Sequence, residues 1–401
     1  MNKLALISSQ CICKSNSILS SRLAKYFTQN GFVITKEVKE ADLIVINTCG
    51  FREKELNYTK VILANVINNR SAASRIIAVG CLNKIKREVL ENTFNGIVVL
   101  DNLFEFDSLI KAQKSFNTFK SSYFDNSLFT QIKCSKDHFS FKRRLSRLVN
   151  SIIIKGRQTP ACFELIRKII DQADYSRKFF VQIGTGCIGN CSYCVIKKAR
   201  GDVVSRPISD ILSDIKEGYK EGMVLNLVAD DCGSYGVDRQ DNIFNLLQKI
   251  NEEFPKISID FCYLNPSWLE KYPKEYLEMF KKFNINSINI TLQSGSDRII
   301  KLMNRNYKIE NILRVINKIK QISPSTMLWS HFIVDFPSET WQDFLLTLKS
   351  TKPFHFYFCF IYSSPTVSGK NKKLTDIIRQ TLKAMIMELL VLKRIILTIV
   401  S

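Results

Sequence analysis

The sequence predicts an α/β protein: an N-terminal doubly wound domain with a parallel sheet, followed by a partial (βα)6 barrel. Short apolar runs alternate with helical patterns in two separate stretches, and the stretch between them loses that alternation. With 401 residues, 45% of them hydrophobic, the chain is long enough to bury a core in each region.

The first alternating stretch covers about residues 1–112. Runs typical of buried strands are "LALISS", "LIVINT", "IIAVG" and "GIVVL", and helical patterns separate them at "ILSSRLAKYFTQNG" and "TKVILANVINN". Because strand–helix alternation builds parallel sheets, we expect a doubly wound domain here.

Residues 113–176 are dominated by Ser, Lys and Phe, which predicts an irregular connector with some helix. Its densest basic run is "FKRRLSR", which includes Lys142, Arg143, Arg144 and Arg147. This run is the candidate RNA-binding segment, although a solvated face of a connector helix is the alternative interpretation.

Residues 177–365 resume the alternation, and we interpret them as the partial barrel. Strand patterns occur at "FFVQIG", "LNLVAD", "ISIDFCY", "INSINITL", "MLWSHFIVDF" and "FHFYFCFIY". The chemistry of such barrels lies at the carboxyl ends of the strands. The apolar tail, residues 366–401, is interrupted by Glu388, Lys393 and Arg394, so a packed helix is expected rather than a membrane span.

Charge and cysteine content point to partner and compartment. Lys and Arg number 58 against 37 Asp and Glu, a net charge of +21, which favours a polyanionic partner, nucleic acid or an anionic membrane surface. A Lys-rich composition without any ligand is the alternative. Twelve cysteines without a disulfide-scaffold pattern, and no signal peptide at "MNKLALISSQ", predict a reducing cytoplasm in which clustered thiols bind metal or catalyse.

The sharpest motif is "GTGCIGNCSYCVIKKARG", where Cys187, Cys191 and Cys194 are spaced C-x3-C-x2-C. Three thiolates on one loop would leave one iron of a [4Fe–4S] cluster open to a small molecule. A structural zinc site would need a fourth ligand, and the nearest cysteines are Cys162 and Cys232. Three buried cysteines without a metal are the third interpretation.

A second set of cysteines follows the first three predicted strands of the N-terminal domain. Cys49 ends "LIVINTC", Cys81 ends "IIAVGC", and the first strand leads to Cys11 or Cys13. Because the carboxyl ends of parallel strands share one edge of the sheet, these thiols are expected to converge there. The pattern indicates a second cluster.

These motifs resemble the radical S-adenosylmethionine (SAM) superfamily and, within it, the radical SAM methylthiotransferases. In that family the first cysteine stands in a Cys-x-x-Asn motif, followed by a helix that ends in Gly-aromatic. Here "CKSN" supplies Cys13 and Asn16, and "NGF" supplies Gly31. The resemblance therefore selects Cys13, because Cys11 would put the asparagine out of register.

The resemblance extends over about residues 1–365. It includes "ADLIVINTCGFREK", "VGCL", "ARGDVVSRPISDI", "VADDCGSYGVD" and "TLQSGSDRIIKLMNRNY". The chain departs from the family at "DFPSET", where Asp335 and Ser338 replace glycines, and at "YSSPTVSGK". The small C-terminal RNA-binding barrel of most members has no room here, so we expect a divergent member without it.

The resemblance implies two [4Fe–4S] clusters and SAM. One cluster would be held by Cys187, Cys191 and Cys194 and would cleave SAM to a radical; the other would be held by Cys13, Cys49 and Cys81. Tyr193 and Gln293 are the predicted cofactor-binding residues, with core packing the alternative for Tyr193. Ser294 is predicted either to assist Gln293 or to cap the next helix.

The implied reaction is insertion of a methylthio group at an unactivated C–H bond. The predicted substrate is a tRNA adenosine next to the anticodon, of the threonylcarbamoyladenosine type. The predicted partners are tRNA and an external electron donor, with no membrane, and the protein is expected to be a monomer. The alternatives are a ribosomal-protein aspartate or a peptide as substrate, or a non-catalytic iron–sulfur or RNA-binding relic.

Overall fold

The structure, a computed structural model, describes residues 3–9, 13–50, 53–120, 122–124, 177–363 and 374–400. Cys11 and the basic run at 141–147 lie outside the described residues, as do Cys162 and most of the predicted connector.

The N-terminal domain contains a five-stranded parallel sheet with the strand order β2-β1-β3-β4-β5. The strands are Lys3–Ser9 (β1), Phe32–Ile34 (β2), Leu43–Thr48 (β3), Arg75–Gly80 (β4) and Ile97–Val99 (β5). The order reverses at β1, which is the doubly wound arrangement that the sequence predicts. The prediction omitted β2, because a three-residue strand with one exposed side chain has almost no periodicity to detect.

Helices cover both faces of this sheet. They are Lys14–Gln29 (α1), Glu53–Asn69 (α2), Cys81–Ile85 (α3), Arg87–Thr93 (α4) and Glu105–Ile110 (α5). All six residues of β3 are buried, with Val45 in one core cluster and Ile44 in the other, as expected of a strand between two helical layers.

The second sheet has six parallel strands in the order β13-β12-β11-β10-β9-β6, which confirms the predicted α/β class. Its strands are Lys178–Gln182 (β6), Val224–Val228 (β9), Ser258–Leu264 (β10), Ile285–Ile290 (β11), Met327–Val334 (β12) and Phe356–Ile361 (β13). A separate pair, Gly184–Thr185 (β7) and Val204–Ser205 (β8), is antiparallel. Because the ends of the six-stranded sheet do not pair with each other, the barrel is open.

Helices lie between the strands of this barrel. They are Ile196–Arg200 (α6), Ile208–Gly218 (α7), Ile243–Glu253 (α8), Ser267–Lys271 (α9), Pro273–Lys282 (α10), Asp297–Leu302 (α11), Ile309–Ile322 (α12) and Trp341–Ser350 (α13). Leu225 and Leu227 of β9 face this helical layer, whereas Asn226 between them bonds to Asp260 on the opposite side. Lys178 and Asp260 form a buried ion pair there, with Nζ and Oδ2 2.6 Å apart.

Both open edges of the barrel sheet are covered. Residues 122–124 run antiparallel to β6, with the Phe124 N–H donating to the Phe180 carbonyl at 3.0 Å. At the other edge, helix Leu374–Val400 (α14) packs against β13, and the Tyr357 hydroxyl donates to the Met387 carbonyl at 2.8 Å. Within the described part of the chain, no helix combines the length and apolarity needed to cross a membrane.

The turn after β12 explains what the two departures from the family's glycines do to the backbone. Asp335 and Ser338 both adopt positive φ, 59° and 63°, a region that favours glycine. Asp335 compensates by binding α14: it accepts hydrogen bonds from Arg379 at 2.8 Å and Gln380 at 2.6 Å. Ser338 instead accepts from Arg298, with its carbonyl 2.6 Å from Nη2.

Candidate functional site: two cysteine sets at a domain interface

The C-x3-C-x2-C cysteines lie on one loop between β7 and α6. The Gly189 N–H donates to the Cys187 sulfur at 3.3 Å, and the Ile196 N–H donates to the Cys194 sulfur at 3.4 Å. A methyl group on Gly189 would lie 3.3 Å from the Cys187 sulfur and 3.8 Å from that of Cys191, so both sulfurs face this glycine. Backbone N–H groups thus donate to two of the three sulfurs, and hydrogen bonds of this kind tune the reduction potential of an iron–sulfur cluster.

Burial, with the nearby charge of Asp231, raises the pKa of the Cys187 thiol to about 11. Burial likewise raises the pKa of Cys194 to about 12. Both groups are therefore neutral thiols at pH 7 when no cation is bound. If this loop binds metal through thiolates, loading must release these protons.

The segment after α11 supports this loop from the barrel side. The Ser192 N–H donates to the Met303 carbonyl at 3.0 Å, and the Asn304 amide donates to the Asn190 carbonyl at 2.7 Å. Arg305, which is buried, donates to the Tyr193 hydroxyl at 3.0 Å. The Met-x-Arg-x-Tyr part of the sequence therefore holds the cysteine loop in place.

Tyr193 packs edge-on against Phe336, with ring centroids 6.5 Å apart, and burial raises the pKa of its hydroxyl. Its hydroxyl is bound by Arg305. The structure thus accounts for Tyr193 as a packed, hydrogen-bonded side chain, and its contact with a cofactor stays a prediction.

Gln293 follows β11 at the carboxyl edge of the barrel and adopts a left-handed backbone, φ 68°. Its backbone pairs with β12, since its N–H donates to the His331 carbonyl and its carbonyl accepts from the Ile333 N–H, both at 2.8 Å. Its Oε1 is buried and has no hydrogen-bond partner among the described residues. A buried, unsatisfied acceptor is costly, so it fits a polar ligand at this edge.

Ser294 does not cap the next helix. The N-cap of α11 is Ser296, whose hydroxyl accepts from the Ile299 N–H. The Ser294 hydroxyl instead bonds to Thr347 at 3.2 Å and accepts from the Ser296 N–H at 3.2 Å. The alternative cap interpretation is therefore wrong by two residues, because two serines separated by one glycine leave the helix start ambiguous in sequence.

The N-terminal cysteines are brought to one edge by strand register. Thr48 of β3 pairs with Gly80 of β4, so Cys49 and Cys81 leave neighbouring strand ends together. A side chain at Gly80 would lie 2.5 Å from the Thr48 carbonyl, and its φ is 103°, so glycine is required at this point. Cys13 occupies the N-cap of α1, after β1.

Asn16, of the Cys-x-x-Asn motif, connects the three strand ends. Its amide donates to the Thr48 carbonyl at 3.2 Å, and its own carbonyl accepts from the Asn47 amide at 2.7 Å. Its Oδ1 lies 3.9 Å from the Cys81 sulfur. The motif asparagine therefore holds the strand ends that carry these cysteines together by hydrogen bonds.

Arg200 joins the two sets. It is the last residue of α6, which starts two residues after Cys194. Its Nη2 lies 3.3 Å from the Cys13 sulfur and 3.8 Å from the Cys81 sulfur. Helix α6 packs on α3 of the N-terminal domain, and Lys198 donates to the Ile85 carbonyl at 3.0 Å. The short helix α6 thus connects the C-x3-C-x2-C loop, through Arg200, to Cys13 and Cys81 of the N-terminal set.

The donors of both groups are thiols, which suit iron–sulfur clusters and zinc. Among the described residues, no three Cys, His, Asp or Glu side chains are arranged to hold a single metal ion. A [4Fe–4S] cluster does not demand such convergence, because each cysteine binds a different iron. Cys232, a possible fourth zinc ligand by sequence, is buried and its sulfur contacts the Leu227 carbonyl at 3.5 Å.

No role was predicted for three polar side chains that support the cysteine sets: Arg200, Asp230 and Arg305. Each lies in a stretch that resembles the family, "ARGD", "VADDC" and "MNRNY". Those stretches could have pointed to these residues in the sequence. No spacing rule, however, predicts which of their charged side chains faces the cysteines.

Comparisons with known proteins agree with this arrangement of two domains. Residues 181–350 match the Radical SAM superfamily, and residues 8–100 match the family described as Uncharacterized protein family UPF0004. In overall structure the chain is similar to the cobalamin-dependent S-adenosylmethionine radical enzyme OxsB, with a TM-score of 0.51 and 13% identity. The match covers 96% of this chain but only 55% of OxsB, so it shows the fold alone.

Relatives with assigned names are methylthiotransferases. The chain is 30% identical over 366 residues to the tRNA-2-methylthio-N(6)-dimethylallyladenosine synthase of Clostridium botulinum (strain Hall), covering 88% of this chain and 73% of that one. It is 28% identical to the ribosomal protein uS12 methylthiotransferase RimO of Clostridioides difficile (strain 630), covering 83% and 68%. It is 24% identical to the probable threonylcarbamoyladenosine tRNA methylthiotransferase of Methanocaldococcus jannaschii, covering 84% and 70%.

The fold and the cysteine loop define a radical SAM enzyme, which implies a [4Fe–4S] cluster and SAM. More narrowly, the chain belongs to the radical SAM methylthiotransferase family and is an enzyme of the sulfur-transferring class. The family predicted from the sequence is thereby confirmed.

Proposed function

We propose that this protein inserts a methylthio group into a tRNA adenosine next to the anticodon, using two [4Fe–4S] clusters. The observation that carries the proposal is the position of α6: it starts two residues after Cys194, and its last residue contacts the sulfurs of Cys13 and Cys81. Five helical residues span only about 8 Å. One substrate atom could therefore be reached from both cysteine sets.

The ligands proposed for the SAM-binding cluster are Cys187, Cys191 and Cys194, and those for the second cluster are Cys13, Cys49 and Cys81. When bound, these groups supply radical cleavage of a C–H bond and a methylated sulfur for transfer. The protein's own residues place and enclose them: Arg305 holds the loop, Asn16 ties the strand ends, and Gln293 offers a buried acceptor to SAM or substrate.

The choice of tRNA rests on charge and on relatives. A net charge of +21 favours a polyanionic substrate, and two of the three relatives described above are named for tRNA. We retain the threonylcarbamoyladenosine type because "CSYCVIKKARG" and "DDCGSYGVD" resemble that branch, whereas "NTCGF" and "GCL" resemble the ribosomal-protein branch. The dimethylallyladenosine type is the second candidate, favoured by the 30% identity to the Clostridium botulinum relative. A ribosomal-protein aspartate is the third, since RimO is also similar.

Mass spectrometry of nucleosides from a deletion strain distinguishes these substrates. Loss of methylthio-threonylcarbamoyladenosine would support the proposal as stated, whereas loss of methylthio-dimethylallyladenosine would correct the base. Unchanged tRNA together with an unmodified ribosomal protein would overturn the tRNA assignment. Re-expression of the gene is the control.

Iron counting tests the two-cluster part. Anaerobically reconstituted protein is expected to hold about eight irons, and the variant with Cys187, Cys191 and Cys194 all changed to Ala is expected to hold about half, because each set binds one cluster. Wild-type protein that never exceeds about four irons would rule the second cluster out.

The basic run at 141–147 tests the partner. Each lost phosphate contact reduces the log–log salt slope of binding by about one unit. Changing Lys142, Arg143, Arg144 and Arg147 to Ser should flatten the slope for tRNA in filter binding and leave iron content unchanged. An unchanged slope would remove the RNA role from this segment.

A further inference from the structure

Arg200 has two hydrogen-bonding edges that point to different partners. Nη1 donates to Asp230, at 3.1 Å to Oδ1 and 3.4 Å to Oδ2. Nη2 faces the N-terminal domain, 3.3 Å from the Cys13 sulfur, 3.8 Å from the Cys81 sulfur and 3.4 Å from the Asn16 Oδ1. The Arg200 side chain is only 13% exposed, so water would not replace these hydrogen bonds if they were lost.

Asp230 continues the connection to the other cysteine loop. Its Oδ2 accepts from the Gly186 N–H at 2.9 Å, and Gly186 directly precedes Cys187. Gly186 has φ 80°, and a side chain there would lie 2.0 Å from the Asp202 carbonyl, so only glycine fits at this position. One line of hydrogen bonds therefore runs from the residue before Cys187 to the sulfurs of Cys13 and Cys81.

The chemistry of this line favours an arginine. A guanidinium donates along two edges in a fixed plane, whereas one ammonium cannot reach both a carboxylate and two sulfurs in that geometry. The Arg200–Asp230 ion pair carries no net charge of its own. When the sulfurs are thiolates, the Nη2 edge is the positive group that faces them.

We propose that Arg200 is a positioning residue that donates to the sulfurs of the N-terminal cluster and, through Asp230, holds the two cysteine sets in register. This inference rests on the proposed two-cluster function. Hydrogen bonds and positive charge at cluster sulfurs favour the reduced form, so Arg200 raises the reduction potential of the N-terminal cluster. A residue that only clamps two domains would not have this effect.

The test is a dithionite titration of reconstituted full-length protein, with each cluster followed by its EPR signal. Arg200→Gln is expected to lower the potential of the N-terminal cluster and leave that of the loop cluster in place. Asp230→Asn removes a negative charge and is expected to raise the N-terminal potential. Shifts of opposite sign from the two partners of one ion pair are difficult to obtain from loosened packing.

Turnover gives the second readout. Arg200→Gln is expected to reduce methylthiolation by about 10- to 100-fold, as for other outer-shell ligand partners, with SAM cleavage within about threefold of wild type. Lys198→Met is the matched control, since Lys198 lies on the same helix and donates across the same interface to the Ile85 carbonyl without contacting a sulfur. It should change neither potential.

The outcomes separate the two proposals. Eight irons in wild type with an unmoved potential in Arg200→Gln would overturn the role of Arg200 alone. Wild type limited to about four irons would overturn both. If Arg200→Gln does not fold, Arg200→Lys retains the charge and should give a smaller shift of the same sign; no shift there would also overturn the proposal.

Discussion

The two cysteine sets are built in opposite ways. Cys187, Cys191 and Cys194 lie within eight residues of one another on a single loop, and backbone N–H groups of that same loop donate to their sulfurs. Cys13, Cys49 and Cys81 come from three strand ends separated by tens of residues, and their proximity depends on the register of the parallel sheet.

The two sets are therefore sensitive to different kinds of substitution. A loop set is damaged by changes in the loop or in the segment that supports it. A set made of strand ends is damaged by any change that shifts the sheet edge, even one that touches no sulfur. The same metal chemistry can therefore have either a local or a distributed dependence on the fold.

The largest expected effect tests which thiol completes the distributed set. Cys13→Ala should abolish methylthiolation, because Cys13 is the sulfur that Arg200 reaches together with Cys81. Cys11→Ala should retain most of the activity. Nucleoside mass spectrometry of complemented strains measures both, and reversed phenotypes would mean that the first strand is out of register by two residues.

Next in size is a change of glycine in each set. Gly80→Val is expected to destabilise the N-terminal domain by about 3 kcal/mol, because its positive φ and its contact with the Thr48 carbonyl leave no room for a side chain. It should also remove about half of the bound iron. Denaturant unfolding and iron counting measure the two effects.

Gly189→Ala is the counterpart on the loop. Its methyl group would meet the Cys187 sulfur at 3.3 Å without a backbone penalty. It should disturb only the loop cluster, with a change in unfolding free energy below about 1 kcal/mol. Equal destabilisation by both substitutions would contradict the distinction between a local and a distributed set.

Arg305→Lys tests whether damage to the segment that supports the loop affects the loop set alone. Arg305 donates to the Tyr193 hydroxyl at 3.0 Å and to the Asn265 side chain at 2.9 Å, and a lysine can keep at most part of this geometry. We expect a loss of about 2 kcal/mol in unfolding free energy, and loss of iron from the loop cluster alone. The EPR signal of the N-terminal cluster should persist. Loss of that signal, with the loop cluster retained, would contradict the distinction between a local and a distributed set.

Two variants at a turn without cysteines are expected to have small effects on stability and none on the clusters. Ser338→Gly should stabilise the protein by up to about 1 kcal/mol, because φ 63° is unfavourable for serine. Its main-chain bond from Arg298, at 2.6 Å, is retained. Iron content should be unchanged in reconstituted protein.

Asp335→Gly is the paired variant on the same turn. It relieves similar backbone strain, φ 59°, but loses the hydrogen bonds from Arg379 and Gln380. It should therefore stabilise less than Ser338→Gly or destabilise. A larger stabilisation from Asp335→Gly would show that the contacts with α14 contribute nothing.

The fold class, the family and the two groups of cysteines were predictable without coordinates. Hydrophobic periodicity reports local burial, so the long buried strands such as β3 were predictable, whereas the three-residue β2 was not. Clustered cysteines at fixed spacing are rare enough to identify a site without coordinates.

The other side chains at that site could be identified only after the domains were seen packed together. Arg200 is one of 58 Lys and Arg residues, and although it stands in the "ARGD" stretch, its sequence does not show that its side chain, rather than that of Lys197 or Lys198, reaches the cysteines. Its role follows from the packing of α6 on α3, which directs one guanidinium edge to Asp230 and the other to two sulfurs more than 100 residues away in sequence. Contacts across a domain interface depend on rigid-body placement, and the periodicity of a single chain does not encode it.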